Sequence, residues 1–392
     1  MKKIVLSVSV ALMTLVTNAQ NTAERILANN EGLHIGGYAQ VDMNMPLSDE
    51  NVHYNGKLDV HRLVTFIGYN FNEKASFISE VEFEHVTEVY VEQAFLNYKL
   101  KHNMSVQAGL MLVPMGIQNL YHEPPTFNGV ERTNVDKYIV PTTWREMGVA
   151  ISGNLEEHSL NYQLMIVNGF NGYSKNDDGV LSGVFSGKKG LRSGRQKGAE
   201  SYMTAPDFAG RVTYYGMLGL NLGASLYKGE SETALYNGLN LDDEAAVASA
   251  DSSKIGIQMI GLDARYTNGP IQGRAQYIVA DLENTSAYNT FADSDLGSVM
   301  TGYYLEGGYN LLNNKDSDNE LVIFARHENY NTHAEVAEGM EADLAYNRTE
   351  NTIGLTYKIA SGAAFKADYQ LLSNEASDVE KKQLNLGVAV WF

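Results

Sequence analysis

The stretch Gln383-Leu384-Asn385-Leu386-Gly387-Val388-Ala389-Val390-Trp391-Phe392 decides how this chain is read. Strand side chains alternate between two faces. Leu384, Leu386, Val388, Val390 and Phe392 therefore share one face, and Gln383, Asn385, Gly387 and Ala389 share the other. The last strand of a soluble sheet would alternate in the same way, so the stretch takes its meaning from the segments before it.

Segments of this period recur back to residue 33. About sixteen can be placed, at 33–43, 58–70, 75–84, 89–99, 104–113, 147–153, 159–168, 207–215, 218–227, 254–267, 271–282, 299–311, 320–330, 347–359, 363–372 and 383–392. In 104–113, Val106, Ala108, Leu110 and Leu112 oppose Ser105, Gln107 and Gly109. In 363–372, Phe365, Ala367, Tyr369 and Leu371 oppose Lys366, Asp368 and Gln370. Segments 58–70, 254–267 and 320–330 are too irregular for their facing to be assigned. Short links near Asn72-Glu73-Lys74, His102-Asn103, Glu156-Glu157, Gly216-Met217, Asn268-Gly269-Pro270, Asn313 to Asp318 and Ser361-Gly362 alternate with mostly longer ones at 44–57, 114–146, 169–206, 228–253, 283–298 and 331–346.

Short turns on one side and long loops on the other is the plan of outer-membrane barrels. An even strand number puts both termini on the short-turn side. Closure leaves no unpaired edge, as hydrocarbon requires. The expected fold is all-β: a transmembrane antiparallel β-barrel of about sixteen strands over residues 33–392, wide enough for an aqueous channel. In its last strand, Asn385, Gly387, Val390 and Phe392 resemble the terminal signal that barrel-assembly machinery recognises. The loops 169–206 and 228–253 are expected to be the disordered ones. The first carries Lys188, Lys189, Arg192, Arg195 and Lys197, and the second Glu230, Glu232, Asp242, Asp243 and Glu244. Solvated surface is their ordinary reading; contact with ligand or lipopolysaccharide is the sharper one.

At the other end, Lys2 and Lys3 precede an apolar run from Ile4 to Val16, followed by Thr17-Asn18-Ala19. This reads as a signal peptide over 1–19, cut after Ala19, with a short lead over 20–32. The run is too short to span a bilayer well. The chain has no cysteine, which excludes disulfides, thiolate chemistry and a lipoprotein anchor. A net charge of -18 without a basic arm excludes nucleic acid as a partner. Tyr 24 against Trp 2 suits membrane-interface belts. The expected location is the outer membrane of a Gram-negative bacterium.

The densest chemistry runs from Asp59 to Gly148. It holds Glu80-Val81-Glu82-Phe83-Glu84-His85, Pro114-Met115-Gly116, Tyr121-His122-Glu123-Pro124-Pro125 and Pro141-Thr142-Thr143-Trp144-Arg145-Glu146. With these loop motifs and its strand plan, the chain resembles the porin O/P-like family of Gram-negative outer-membrane porins. The resemblance implies a homotrimer of sixteen-stranded channels whose third long loop enters the lumen. That family's named members prefer phosphate through inward arginines and a lysine cluster. No inward ladder of arginines is legible along these strands, so the phosphate preference is not carried over.

The residues agree with an inward loop. Segment 114–146 is long yet holds Leu120, Tyr121, Phe127, Val130, Tyr138, Ile139, Val140 and Trp144, which a loop in water does not need. An extracellular cap or a trimer latch is the alternative. If Phe77, Ser79, Val81 and Phe83 face lipid, Glu80, Glu82 and Glu84 face the lumen, with Glu92 from the next strand. Charges on the lipid face cost about 2–4 kcal/mol each near the midplane. Arg211, Arg265 and Arg274 would face inward nearly opposite, setting a transverse field. Alternatively the glutamates pair with Arg62, Arg132 and Arg145 and pin the loop. Tyr121, His122, Glu123 and Glu131 complete the candidate constriction.

His61, His85 and His122 match no compact ligand spacing, so no metal and no cofactor are expected. Gly-x-Ser-x-Gly is absent and no Ser–His arrangement stands out, so no enzyme is expected. The expectation is a general diffusion porin for small hydrophilic solutes. A solute-selective porin (phosphate or another anion, a sugar or a peptide) and a plugged structural or adhesive barrel are the alternatives.

Overall fold

The computed structural model describes residues 32–47, 53–101, 103–175, 179–313 and 319–392. The expected signal peptide, and all of the lead but Gly32, lie outside the described residues. Sixteen strands close into one antiparallel barrel. They are β1 (Gly32–Leu47), β2 (Lys57–Asn70), β3 (Ala75–Glu84), β4 (Glu88–Lys101), β5 (Met104–Leu112), β6 (Arg145–Leu155), β7 (Leu160–Val167) and β8 (Asp207–Met217). The second half is β9 (Leu220–Glu230), β10 (Gly256–Asn268), β11 (Ile271–Glu283), β12 (Val299–Asn310), β13 (Glu320–Glu335), β14 (Asn347–Ala360), β15 (Ala363–Asn374) and β16 (Ser377–Trp391). Each expected segment corresponds to one strand.

The barrel shuts where β1 meets β16, in a register running from Tyr38 opposite Trp391 to Leu47 opposite Lys382. Beyond it, Gly37 and Phe392 exchange backbone hydrogen bonds of 3.0 and 2.9 Å. A side chain has no room here: a Cβ on Gly36 would stand 2.7 Å from the Phe392 carbonyl oxygen.

Period-two burial runs round the wall. Phe77, Phe83, Leu96, Val149, Leu164, Ile260, Leu305, Ile353 and Leu386 are exposed outside, while Ser76, Glu80, Glu82, Asn97, Gln276 and Asn385 are buried inside. This inverts a soluble core, because the solvent outside is hydrocarbon. The irregular strands β2, β10 and β13 obey the same alternation.

On the long-loop side, the described parts of the two loops expected to be disordered hold regular elements. Residues 169–206 hold short strands Asn171–Lys175 and Leu181–Gly183, and Phe170, Phe185 and Leu191 are fully buried. These rings join Trp144, Tyr227 and Tyr288, with Trp144 stacked on Phe170 at 4.6 Å. Phe170, Tyr173 and Phe185 of that loop each have a ring to pack on, and this burial offsets the ordering entropy. In 228–253, the helix Glu244–Ser252 is capped by Asp243, whose carboxylate accepts the Ala246 N–H at 3.0 Å.

Candidate functional site

The loop between β5 and β6, residues 113–144, turns into the lumen and is buried along most of its length. Inside a barrel its backbone groups still need partners. Side chains of the far wall supply them. Lys366 on β15 donates to the carbonyls of Pro124 and Phe127 at 2.6 and 2.7 Å. Asp368 accepts the Val130 N–H at 2.6 Å, and Glu328 accepts the N–H of Asn134 at 2.7 Å. Gln276 on β11 accepts from the Ile117 N–H at 2.6 Å and donates to Asp136 at 2.8 Å. Burial pushes the Asp136 carboxyl up to about 7, against the bonds from Gln276 and Thr133.

The acidic wall stands where the alternation put it. Glu80, Glu82 and Glu92 are buried in the lumen and Glu84 is half-buried. The expected pinning by arginines is reduced to one contact among the described residues: Arg62 Nη1 lies 3.6 Å from Glu82. Neither Arg132 nor Arg145 forms an ion pair with these glutamates there. Pinning falls instead to the far wall, whose Gln276, Glu328, Lys366 and Asp368 carry no motif and were not singled out. Glu131 follows that pattern, taking a bond from Asn44 at 2.9 Å while its carbonyl accepts from Arg326 at 3.2 Å.

The opposed basic trio does face inward, but it is largely matched by local partners. Arg211 makes a two-pronged pair with Asp263 at 2.7 and 2.8 Å. Arg274 donates to the Thr126 carbonyl and lies 3.9 Å from Glu306. Arg265 lies over the Tyr121 ring at 3.8 Å. A strong transverse field between these arginines and the glutamates does not follow, since bidentate pairing cancels most of the Arg211 charge at a distance.

A different cationic group forms instead. Arg62, Arg132, Arg145, Arg192, Arg195 and Lys197 line one narrow gap, together with Glu82, Glu84 and Tyr90. These cations form no ladder along the strands, in line with the sequence; four of the six come from two loops that fold over each other. Arg192 and Arg195 reach the loop's neck, donating to the Thr142 and Thr143 carbonyls at 2.7 and 3.1 Å. Buried nitrogens of Arg62, Arg132 and Arg145 are left without a hydrogen-bond partner. Burial first, then the neighbouring Arg192 and Arg145, brings Arg195 down to about 9. Burial, then Arg195 and Arg145, brings Lys197 down to about 8. Lys197 also sits 4.5 Å over the Tyr90 ring. The signal available in the sequence was the run Lys188 to Lys197, which was read as solvated surface.

His122 leaves the loop toward the acidic wall. Its Nε2 lies 3.5 Å from Glu92 Oε2, which also accepts the Tyr38 hydroxyl at 2.8 Å. Burial alone would lower His122, but Glu92, then Glu123 and Glu80, push it up to about 9. Glu123 is itself buried, at the start of the turn Pro124–Thr126. His61 and His85 stay on the wall, bonded to Asp42 at 2.9 Å and Asp59 at 2.5 Å.

No protein-family model matches the chain. Among solved structures it is similar to the outer-membrane channel DcaP of Acinetobacter baumannii, with a TM-score of 0.58 and 11% identity over 92% of this chain and 97% of that one. The anion-selective porin from Comamonas acidovorans superposes with a TM-score of 0.56 and 12% identity over 92% and 99% of the two chains. Salmonella typhi OmpF in complex with daunomycin gives 0.55 and 12% over 92% and 97%. The structural neighbours are thus Gram-negative outer-membrane porins, and the likeness is one of fold. In sequence, an uncharacterized protein of Aquifex aeolicus (strain VF5) is 31% identical over 362 residues, 88% of this chain and 77% of that protein. At that identity and coverage, the chain belongs to the family of that Aquifex protein.

Proposed function

We propose that the chain is an outer-membrane porin that passes small hydrophilic solutes by diffusion, with a preference for anions. The observation that carries this is the gap lined by six cationic side chains against two carboxylates, with guanidinium nitrogens left unpartnered. Such donors favour a passing anion, and their burial limits screening by water. The cluster supplies inward cations from loops where the strands supply an acidic wall, which is compatible with a place in the porin O/P-like family, with its Pro-Met-Gly and Pro-Thr-Thr-Trp loop. Export by residues 1–19, insertion by the barrel-assembly machinery through Asn385, Gly387, Val390 and Phe392, contact with outer-membrane lipid and lipopolysaccharide, and a homotrimer complete the reading.

A second reading is a plugged barrel. The many bonds from the loop to the far wall favour it, since they leave the loop little freedom. Planar-bilayer conductance of the mature protein separates the two. The porin reading expects stepped openings and an anion-favouring reversal potential under a KCl gradient. Absence of any channel would leave only the plug, and a cation-favouring potential would overturn the anion preference. Arg132→Glu with Arg195→Glu is expected to turn the sign.

A further inference from the structure

Three side chains near the turn of the lumenal loop come together from three parts of the chain. Glu80 on β3, Glu92 on β4 and His122 in the loop each offer one ligand atom, and these atoms lie within 4.8 Å of one another. The residues are 1%, 0% and 1% exposed. Glu80 Oε2, Glu92 Oε1 and His122 Nε2 all lack a hydrogen-bond partner. Leaving several buried carboxylate and imidazole atoms unpaired is costly, so the group calls for positive charge, which either a proton on His122 or a bound cation supplies. Arg62 Nη1 lies 3.6 Å from Glu82.

The surroundings orient the three groups toward a common point. His122 Nδ1 stands 3.2 Å from the Asn119 carbonyl, which can only accept. The Nδ1 proton is therefore fixed, and Nε2 is the nitrogen left to bind. Metal-binding histidines commonly hold their other N–H in this manner. The Tyr38 hydroxyl holds Glu92 in the same sense. A bulge in β4 supplies Glu92 itself: Glu80 pairs with Gln93 and Val81 with Val91, so Glu92 is the additional residue. Both Glu92 and Gln93 consequently face inward and are buried. Bulges are where strands re-aim a side chain.

We propose that Glu80, Glu92 and His122 bind a divalent first-row transition ion, which fastens the lumenal loop to β3 and β4. One imidazole and two carboxylates suit such an ion and leave positions for water. The 3.5 Å between Glu92 and His122 fits two ligands each about 2 Å from one metal, and Glu80 closes by rotating its carboxylate. The spacing 80, 92, 122 matches no ligand motif because a strand pairing and a folded-in loop create the neighbourhood. The proposal therefore departs from the sequence expectation of no metal.

The test uses the mature full-length protein, stripped with chelator and dialysed against Zn2+, with metal content measured by elemental analysis. One tightly held Zn2+ per chain is expected, lost in His122→Gln and in Glu92→Gln. His61→Asn, in the partly exposed group Asp42, Asp59 and His61, is expected to keep it. Tyr38→Phe keeps all three ligands and is expected to weaken Zn2+ binding by about tenfold or more. No Zn2+ in the wild type, or full occupancy in folded His122→Gln and Glu92→Gln, overturns the site. If those two variants fail to fold, unchanged affinity in Tyr38→Phe overturns it. Metal content is read without any current, so a failure here leaves the porin reading standing, and a silent bilayer leaves this one standing.

Discussion

Asn119 and Trp144 hold each other by two hydrogen bonds. The Asn119 side-chain oxygen accepts the Trp144 backbone N–H at 2.6 Å, and its amide donates to the Trp144 carbonyl at 2.9 Å. The same amide reaches the Val113 carbonyl at 2.7 Å. One side chain thus ties both stems of the lumenal loop where it leaves the wall. Asn119→Ala leaves the Trp144 N–H without its acceptor, worth about 1–3 kcal/mol when unsatisfied, while the Trp144 and Val113 carbonyls keep the N–H groups of Val113 and Met115. The variant is expected to unfold at lower denaturant and to give noisier single-channel currents. Currents as quiet as the wild type would show that the neck is held elsewhere.

Lys366 makes two bonds from the far wall to the loop, to the carbonyls of Pro124 and Phe127. Lys366→Met removes the donor to two carbonyls and keeps a similar length. The expected result is a loop that lifts from β15 and a larger conductance step, with the barrel still closed by heat-modified gel mobility. An unchanged step means the remaining bonds to Gln276, Glu328 and Asp368 suffice.

The anion preference is expected to fall as pH rises. Lys197 is cationic below about 8 and Arg195 below about 9, and each becomes neutral above its value. Reversal potentials measured from pH 7 to 10 are expected to move toward the cation side in that window. Lys197→Gln is expected to remove the lower part of the change. A flat profile across the whole window would rule out both groups as titrating parts of the passage.

Gly387, part of the proposed assembly signal, also lies against the lumenal loop. A Cβ there would stand 3.1 Å from Val130 Cγ1 at the tip of the lumenal loop. Gly387→Val is expected to displace the loop and change conductance, and Val130→Ala in the same chain is expected to restore much of it. If the double variant inserts as poorly as the single one, the glycine acts through assembly alone.

The strands were legible because a barrel with an apolar outer face and water or loop inside gives most of them period two, β5 excepted. Phe77 and Phe83 against Glu80 and Glu82 could be read directly. The inward loop was legible from Phe127, Val130 and Trp144, residues too apolar for a solvated segment. What was hidden is non-local. Glu92 and Gln93 share a face only through a bulge, which no alternation rule announces. Lys366 and Asp368 looked like plain lumen-facing polar residues until loop carbonyls and N–H groups lay against them. Arg192 and Arg195 sit in a loop where Phe170 packs on Trp144 and Phe185 packs on Phe170 and Tyr288, rings brought together from separate parts of the chain.

The lumenal loop is made early and its partners late. Val130 is bonded by Asp368, 238 positions further on, and the Lys366 bonds to Pro124 and Phe127 span 242 and 239. Contacts of such range form only after large closure entropies are met. While β11 to β15 are still unplaced, the loop has nothing to dock on. Docking of the loop, and with it the narrowing of the ring, is therefore expected late in folding.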